Sequence, residues 1–114
     1  MHRITIYHYP ECSKSGKTLE ILRNQGLNPV VVDYIKTPLD MKQLKKLRSY
    51  FELKDFVRTN ETVFKASNLS LNDETQILQA MLKEPILMQR PVVTYKNKAI
   101  MGRPPENVLE LLNG

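Results

Sequence analysis

Cysteine is almost missing from this chain: Cys12 is the only one in 114 residues. A single thiol cannot close an internal disulfide, and a free thiol belongs in a reducing compartment, here expected to be the cytoplasm. No apolar run approaches the ~18 residues that a membrane helix needs. The first residues lack the apolar segment and small-residue cleavage site of a secretory signal. Histidine is scarce as well. His2, His8 and Cys12 do not make a convincing ligand set, so no metal is expected. There is no tryptophan, no repeat, no low-complexity tract and no linker.

What is present is ordinary in bulk. Hydrophobic residues make up 41% and charged residues 25%, as in globular proteins generally. The length predicts one domain over residues 1–114, with a real core and no room for two. The formal charge of +5 suits nucleic acid or a small anion equally. Lys42, Lys45, Lys46 and Arg48 form the only cluster, and they read as the wet face of a helix whose apolar stripe is Met41, Leu44, Leu47 and Phe51. No nucleic-acid-binding motif is present, so the positive charge is read toward an anionic substrate.

The stretch from Arg3 to Gly26 organises the rest. Ile4-Thr5-Ile6-Tyr7 alternates as a half-buried strand does. A polar loop follows, His8 to Lys17, and then a helical pattern with Leu19, Ile21 and Leu22 apolar and Gly26 as its stop. Cys12 therefore sits where a strand hands over to a helix. Free amides at a helix start favour negative charge, which stabilises a thiolate and offers a neighbouring anion a seat.

Further along, Val30-Val31-Val32-Asp33-Tyr34 predicts a strand buried on both faces. Strand–helix–strand order implies a parallel pair with a right-handed crossover. Thr37 as cap with Pro38 at the first position predicts a helix running to about Tyr50. Leu53, Phe56, Val57 and Phe64 anchor short helical turns. Ser70-Leu71-Asn72-Asp73 caps a helix carrying Ile77, Leu78, Met81 and Leu82, which Pro85 ends. Pro91 to Tyr95, a turn at Lys96-Asn97-Lys98, and Ala99 to Met101 read as a hairpin. Arg103-Pro104-Pro105-Glu106 opens a last helix that buries Val108, Leu109, Leu111 and Leu112. The sum is an α/β fold: a thioredoxin-like mixed four-stranded sheet with an additional helical segment between its two halves.

Cys12 and Ser15 form Cys-x-x-Ser. Dithiol oxidoreductases carry a second cysteine there to resolve mixed disulfides, and Ser15 cannot do so. If Cys12 is redox active, its resolving thiol comes from another molecule, glutathione or a small redox protein. His8, at the end of the first strand, would favour the thiolate if protonated; otherwise it is a satisfied strand-end histidine. Arg58, Arg90 and Arg103 stand where the chain enters or leaves regular structure, and guanidinium forks match tetrahedral oxyanions. Pro91 occupies the place where thioredoxin-like proteins carry a cis proline against the cysteine loop, which would turn Arg90 toward Cys12.

Taken together, Ile4-Thr5-Ile6-Tyr7-His8 with Pro10-x-Cys12-x-x-Ser15, Thr18-Leu19-Glu20, Arg58 with Asn60-Glu61, Pro85-Ile86-Leu87 through Arg90-Pro91-Val92-Val93, and Gly102-Arg103-Pro104-Pro105-Glu106 make a combined pattern. It resembles the arsenate reductases coupled to glutathione and glutaredoxin, in the family's order over nearly the whole chain. The resemblance implies that arsenate binds near Cys12, with Ser13, Lys14 and Ser15 lining its seat and Arg58, Arg90 and Arg103 holding it. The Cys12 thiolate attacks arsenic and displaces water. Glutathione then reduces the arsenic, and glutaredoxin clears glutathione from Cys12. His8 matches the family's thiolate-supporting histidine. No bound cofactor is implied; glutathione is a co-substrate, glutaredoxin the protein partner, and the chain a monomer.

Two other readings stay open. One is a monothiol glutathione-linked oxidoreductase with another substrate, which needs Cys12 but has little use for three arginines. The other is a thioredoxin-fold regulator that binds RNA polymerase. Such regulators typically switch through Cys-x-x-Cys, which Ser15 disables.

Overall fold

The computed structural model describes residues 3–112. The chain divides into two compact units. One takes the described chain up to Thr37 and again from Arg90; the other is Pro38–Gln89.

The first unit holds the sheet. Its strands are β1 (Thr5–His8), β2 (Val30–Asp33), β3 (Val92–Tyr95) and β4 (Lys98–Met101), in the order β2-β1-β3-β4. β1 pairs parallel with β2, Ile6 opposite Val31, and antiparallel with β3, Ile6 opposite Val93. β3 and β4 are the two sides of a hairpin, with Lys96 at positive φ in its turn. This is the thioredoxin-like arrangement. Helix α1 (Ser13–Asn24) and the short α6 (Val108–Leu112) pack on the sheet. Leu19 and Leu22 lie one helical turn apart, so they share the face that meets Ile4, Ile6, Val93, Val108 and Leu111. Gly26 ends α1 at φ +77°, a conformation glycine adopts without steric cost.

Two expectations are corrected here. β2 is not buried on both faces: Val30 is 38% and Val31 40% exposed. It is an edge strand with one neighbour, and a run of valines has the same propensity at an edge as in a centre.

The second correction lies in the other unit, where α2 spans Met41–Arg48. Its cap is Asp40 rather than Thr37. Asp40 Oδ1 accepts from the Gln43 amide at 2.8 Å, and Gln43 Oε1 accepts from the Asp40 amide at 3.0 Å. This reciprocal box satisfies two amides that a start at Pro38 would leave to solvent. Leu44 and Leu47 are the buried part of the stripe. Two short helices follow, α3 (Leu53–Phe56) and α4 (Thr62–Ala66), and then α5 (Glu74–Lys83), capped by Asp73. Pro85 opens a single 3-10 turn, Pro85–Leu87. Behind it the chain folds back antiparallel on the end of α3: the Arg58 amide donates to the Leu87 carbonyl at 2.7 Å, and the Gln89 amide to the Phe56 carbonyl at 2.8 Å. Among the described residues, no helix is long and apolar enough to cross a membrane.

Candidate functional site

Cys12 is the N-cap of α1, with extended backbone at φ −93° and ψ 121°. Its own amide donates to the Tyr9 carbonyl at 3.0 Å, closing the loop between β1 and α1 into a tight turn. The residue is half-buried and carries a free thiol. Burial alone would raise the thiol's pKa. The backbone amides of Ser15 and Lys14 and the side chain of Arg90, which hydrogen-bonds to the sulfur and adds its charge, outweigh burial and lower it. The free amides that the helix start offers thus go to the sulfur, the seat expected of a thiolate.

Ser15 has two faces. Its amide serves the sulfur, while its side chain is fully buried. Oγ accepts from the Tyr9 amide at 3.0 Å and lies 2.6 Å from His8 Nδ1. His8 is half-buried at the end of β1. Its pKa is lowered below 6.5, chiefly by burial; the Asp33 carboxylate opposes and the Arg23 charge assists. His8 meets the cysteine loop through its 2.6 Å contact with Ser15 Oγ. Ser13 and Lys14 are exposed at the start of α1. Lys14 also anchors the helix, its carbonyl accepting from Thr18 Oγ1 at 2.8 Å.

Arg90 is 7% exposed, the one charged residue in the core of the described chain. Its guanidinium lies over the Tyr9 ring, 4.4 Å from the centroid. Arg103 reaches the backbone of Arg90: its Nη1 donates to the Arg90 carbonyl at 3.2 Å. Asn107 steadies Arg103 in turn by donating to its carbonyl at 3.2 Å. The peptide bonds Arg90–Pro91 and Arg103–Pro104 are both cis; only the first was anticipated. Gly102 lets these strands close on α1. A Cβ there would collide with Thr18 Oγ1 and stand 2.7 Å from Pro91 Cγ.

Cys12, Ser15, Lys14, Arg90 and, through the Arg90 backbone, Arg103 are thus brought together. Arg58 belongs to the other unit. There its Nη1 donates to Gln89 Oε1 at 3.2 Å and its Nε faces Glu61 Oε2 at 3.8 Å. Tyr9 is the site residue that sequence reasoning missed. An aromatic three residues before a cysteine carries no signal until the distant arginine is known to lie on it.

A thioredoxin-like fold that presents a free thiol at a helix start, beside a buried guanidinium, is the class that fold and site define. Within that class the chain belongs to the ArsC family, whose model matches residues 7–111. It is 41% identical to the uncharacterized protein YfgD of Escherichia coli, over 96% of this chain and 97% of that protein. It is 34% identical to the arsenate reductase of Haemophilus influenzae, over 96% of this chain and 98% of that one. A solved arsenate reductase from Vibrio cholerae superposes with a TM-score of 0.87 at 38% identity, over 95% of this chain and 96% of that one.

Proposed function

We propose that this chain is an arsenate reductase that works through Cys12 in a reducing cytoplasm, with glutathione and glutaredoxin supplying the electrons. The observation that carries the reading is the Cys12 thiol itself, its pKa lowered by two amides and a buried guanidinium. A thiolate is the nucleophile, and donors aimed at the same point stabilise an oxyanion. The family and the arsenate reductases among its relatives support the substrate.

In the proposed cycle the thiolate attacks arsenic, an arsenic–sulfur bond forms and one arsenate oxygen leaves as water. Arg90 and Arg103 hold the remaining oxygens, and Arg58 is the third ligand that the resemblance assigns. Glutathione then attacks the adduct. The two sulfurs supply the electron pair that takes arsenic from the pentavalent to the trivalent state, and Cys12 is left in a disulfide with glutathione. Glutaredoxin takes the glutathione by thiol exchange. The external thiol is needed because Ser15 stands where a resolving cysteine would, and its hydroxyl is bound to His8 and Tyr9.

The test is arsenate-dependent NADPH oxidation in the presence of glutathione, glutaredoxin and glutathione reductase. Wild type turns over, and Cys12→Ser is inactive with its fold retained, because one atom of a surface loop changes. Residual turnover in that variant would falsify the nucleophile. A monothiol oxidoreductase needs the same lone thiol, so Arg58→Ala separates the two readings. Arsenate turnover falls about a hundredfold while exchange with a glutathione mixed disulfide is kept. Equal loss of both activities, or no loss, favours the oxidoreductase.

A further inference from the structure

The buried arginine next to the sulfur raises a question of placement. A guanidinium on a flexible stem has many rotamers, and its use to the sulfur depends on occupying one. The backbone end of Arg90 is fixed by the Arg103 Nη1 bond to its carbonyl, at 3.2 Å. The charged end lies face-on to the Tyr9 ring, 4.4 Å from the centroid. Tyr9 is itself held at both ends. Its amide donates to Ser15 Oγ at 3.0 Å and its hydroxyl to Glu11 Oε2 at 3.1 Å, while its carbonyl accepts from the Cys12 amide at 3.0 Å. One residue therefore touches the loop that carries the sulfur and the cation that serves it.

We propose that Tyr9 is a positioning residue for Arg90: its ring holds the guanidinium against the Cys12 sulfur, so that thiolate stabilisation and oxyanion capture both depend on an aromatic side chain at position 9. The attraction is between cation and ring face, and it strengthens as water is removed. Arg90 is 7% exposed, which puts this pair among the desolvated ones. The carboxylate of Glu11, which accepts from the Tyr9 hydroxyl, is the charged group nearest along the loop. The sulfur is otherwise faced by the amides of Ser15 and Lys14. The part concerning arsenate rests on the function proposed above; the part concerning the thiol does not.

The experiment compares wild type with Tyr9→Phe, Tyr9→Leu and Tyr9→Met in two assays. The first, independent of arsenate, is alkylation of Cys12 across pH with neutral iodoacetamide and anionic iodoacetate. Tyr9→Leu shifts the alkylation midpoint to higher pH and lowers the iodoacetate-to-iodoacetamide rate ratio about fivefold, or about 1 kcal/mol of cation–ring attraction. Tyr9→Met, which keeps bulk without a ring, does the same and guards against a folding defect in the leucine variant. Tyr9→Phe matches wild type. In an Arg90→Gln background the Tyr9 substitutions change neither quantity. In the second assay Tyr9→Leu raises the arsenate KM while kcat changes little. Folded Leu and Met variants with wild-type midpoints and ratios overturn the proposal. So does a Phe variant as impaired as Leu, which would assign the effect to the Glu11 hydrogen bond. If wild type fails to reduce arsenate, the proposed function falls and the alkylation assay still decides the role of Tyr9.

Discussion

At the scale of single residues, the site depends on atoms whose roles differ from what their types suggest. Cys-x-x-Ser reads as a motif missing a thiol, and that absence is legible. The positive role of the hydroxyl is not. Ser15 Oγ is fully buried, accepts the Tyr9 amide and pairs with His8; a serine near a helix start gives no sign of which way it points. His8 was legible as a neighbour of the cysteine, but the downward direction of its pKa was not, because burial sets it. Ser15→Ala leaves the Tyr9 amide and His8 Nδ1 without this partner, and such losses cost about 1–3 kcal/mol. Urea unfolding checks the value, and a variant as stable as wild type would show that the hydroxyl is dispensable. His8 also makes stability depend on pH. Its folded pKa lies below the unfolded value of 6.5, so the unfolded state binds the proton more readily. The contribution is complete above that value and is lost as pH falls through the lowered one. The urea midpoint therefore drops as pH falls below about 6.5, and His8→Gln flattens the slope.

At the scale of elements, periodicity located the strands and the principal helices, while burial and boundaries depended on context. The hairpin, the Gly26 stop and the buried Leu44 and Leu47 followed from local pattern. The valine run of β2 did not disclose that it lies at an edge, since strand order is a property of the sheet and not of the strand. Thr37 and Pro38 placed the start of α2 three residues early. The reciprocal Asp40–Gln43 box prevailed because it satisfies two amides. The most demanding element contact is at Gly102. Its missing Cβ admits Thr18 of α1 and the Pro91 ring, and overpacking there costs ~1–3 kcal/mol. Gly102→Ala is expected to lower the Tm and, because Pro91 and Arg103 flank the collision, to reduce arsenate turnover more than thiol alkylation. Turnover unchanged at a lowered Tm would uncouple that packing from the site.

At the scale of the whole molecule, residues 12, 90 and 103 come together from the two ends of the chain, as the strand order requires. That convergence was partly legible, because both arginines stand directly before prolines. The second cis bond and the Tyr9 contact were not, because they depend on which atoms meet after folding. The net charge acts at the same scale. With 17 basic and 12 acidic residues, the molecule attracts anions before any contact is made. Screening shortens that reach: the Debye length falls from about 30 Å at 0.01 M salt to about 10 Å at 0.1 M. Arsenate is multiply charged near neutral pH, so its KM should rise severalfold across that range of potassium chloride, with kcat nearly constant. Sulfate at matched ionic strength should raise KM further, because its tetrahedral oxygens also compete for the arginines. Alkylation by neutral iodoacetamide has no long-range attraction to lose and serves as the control. A KM indifferent to salt, or sulfate no more effective than chloride, would mean that the anion is not captured by these guanidinium groups.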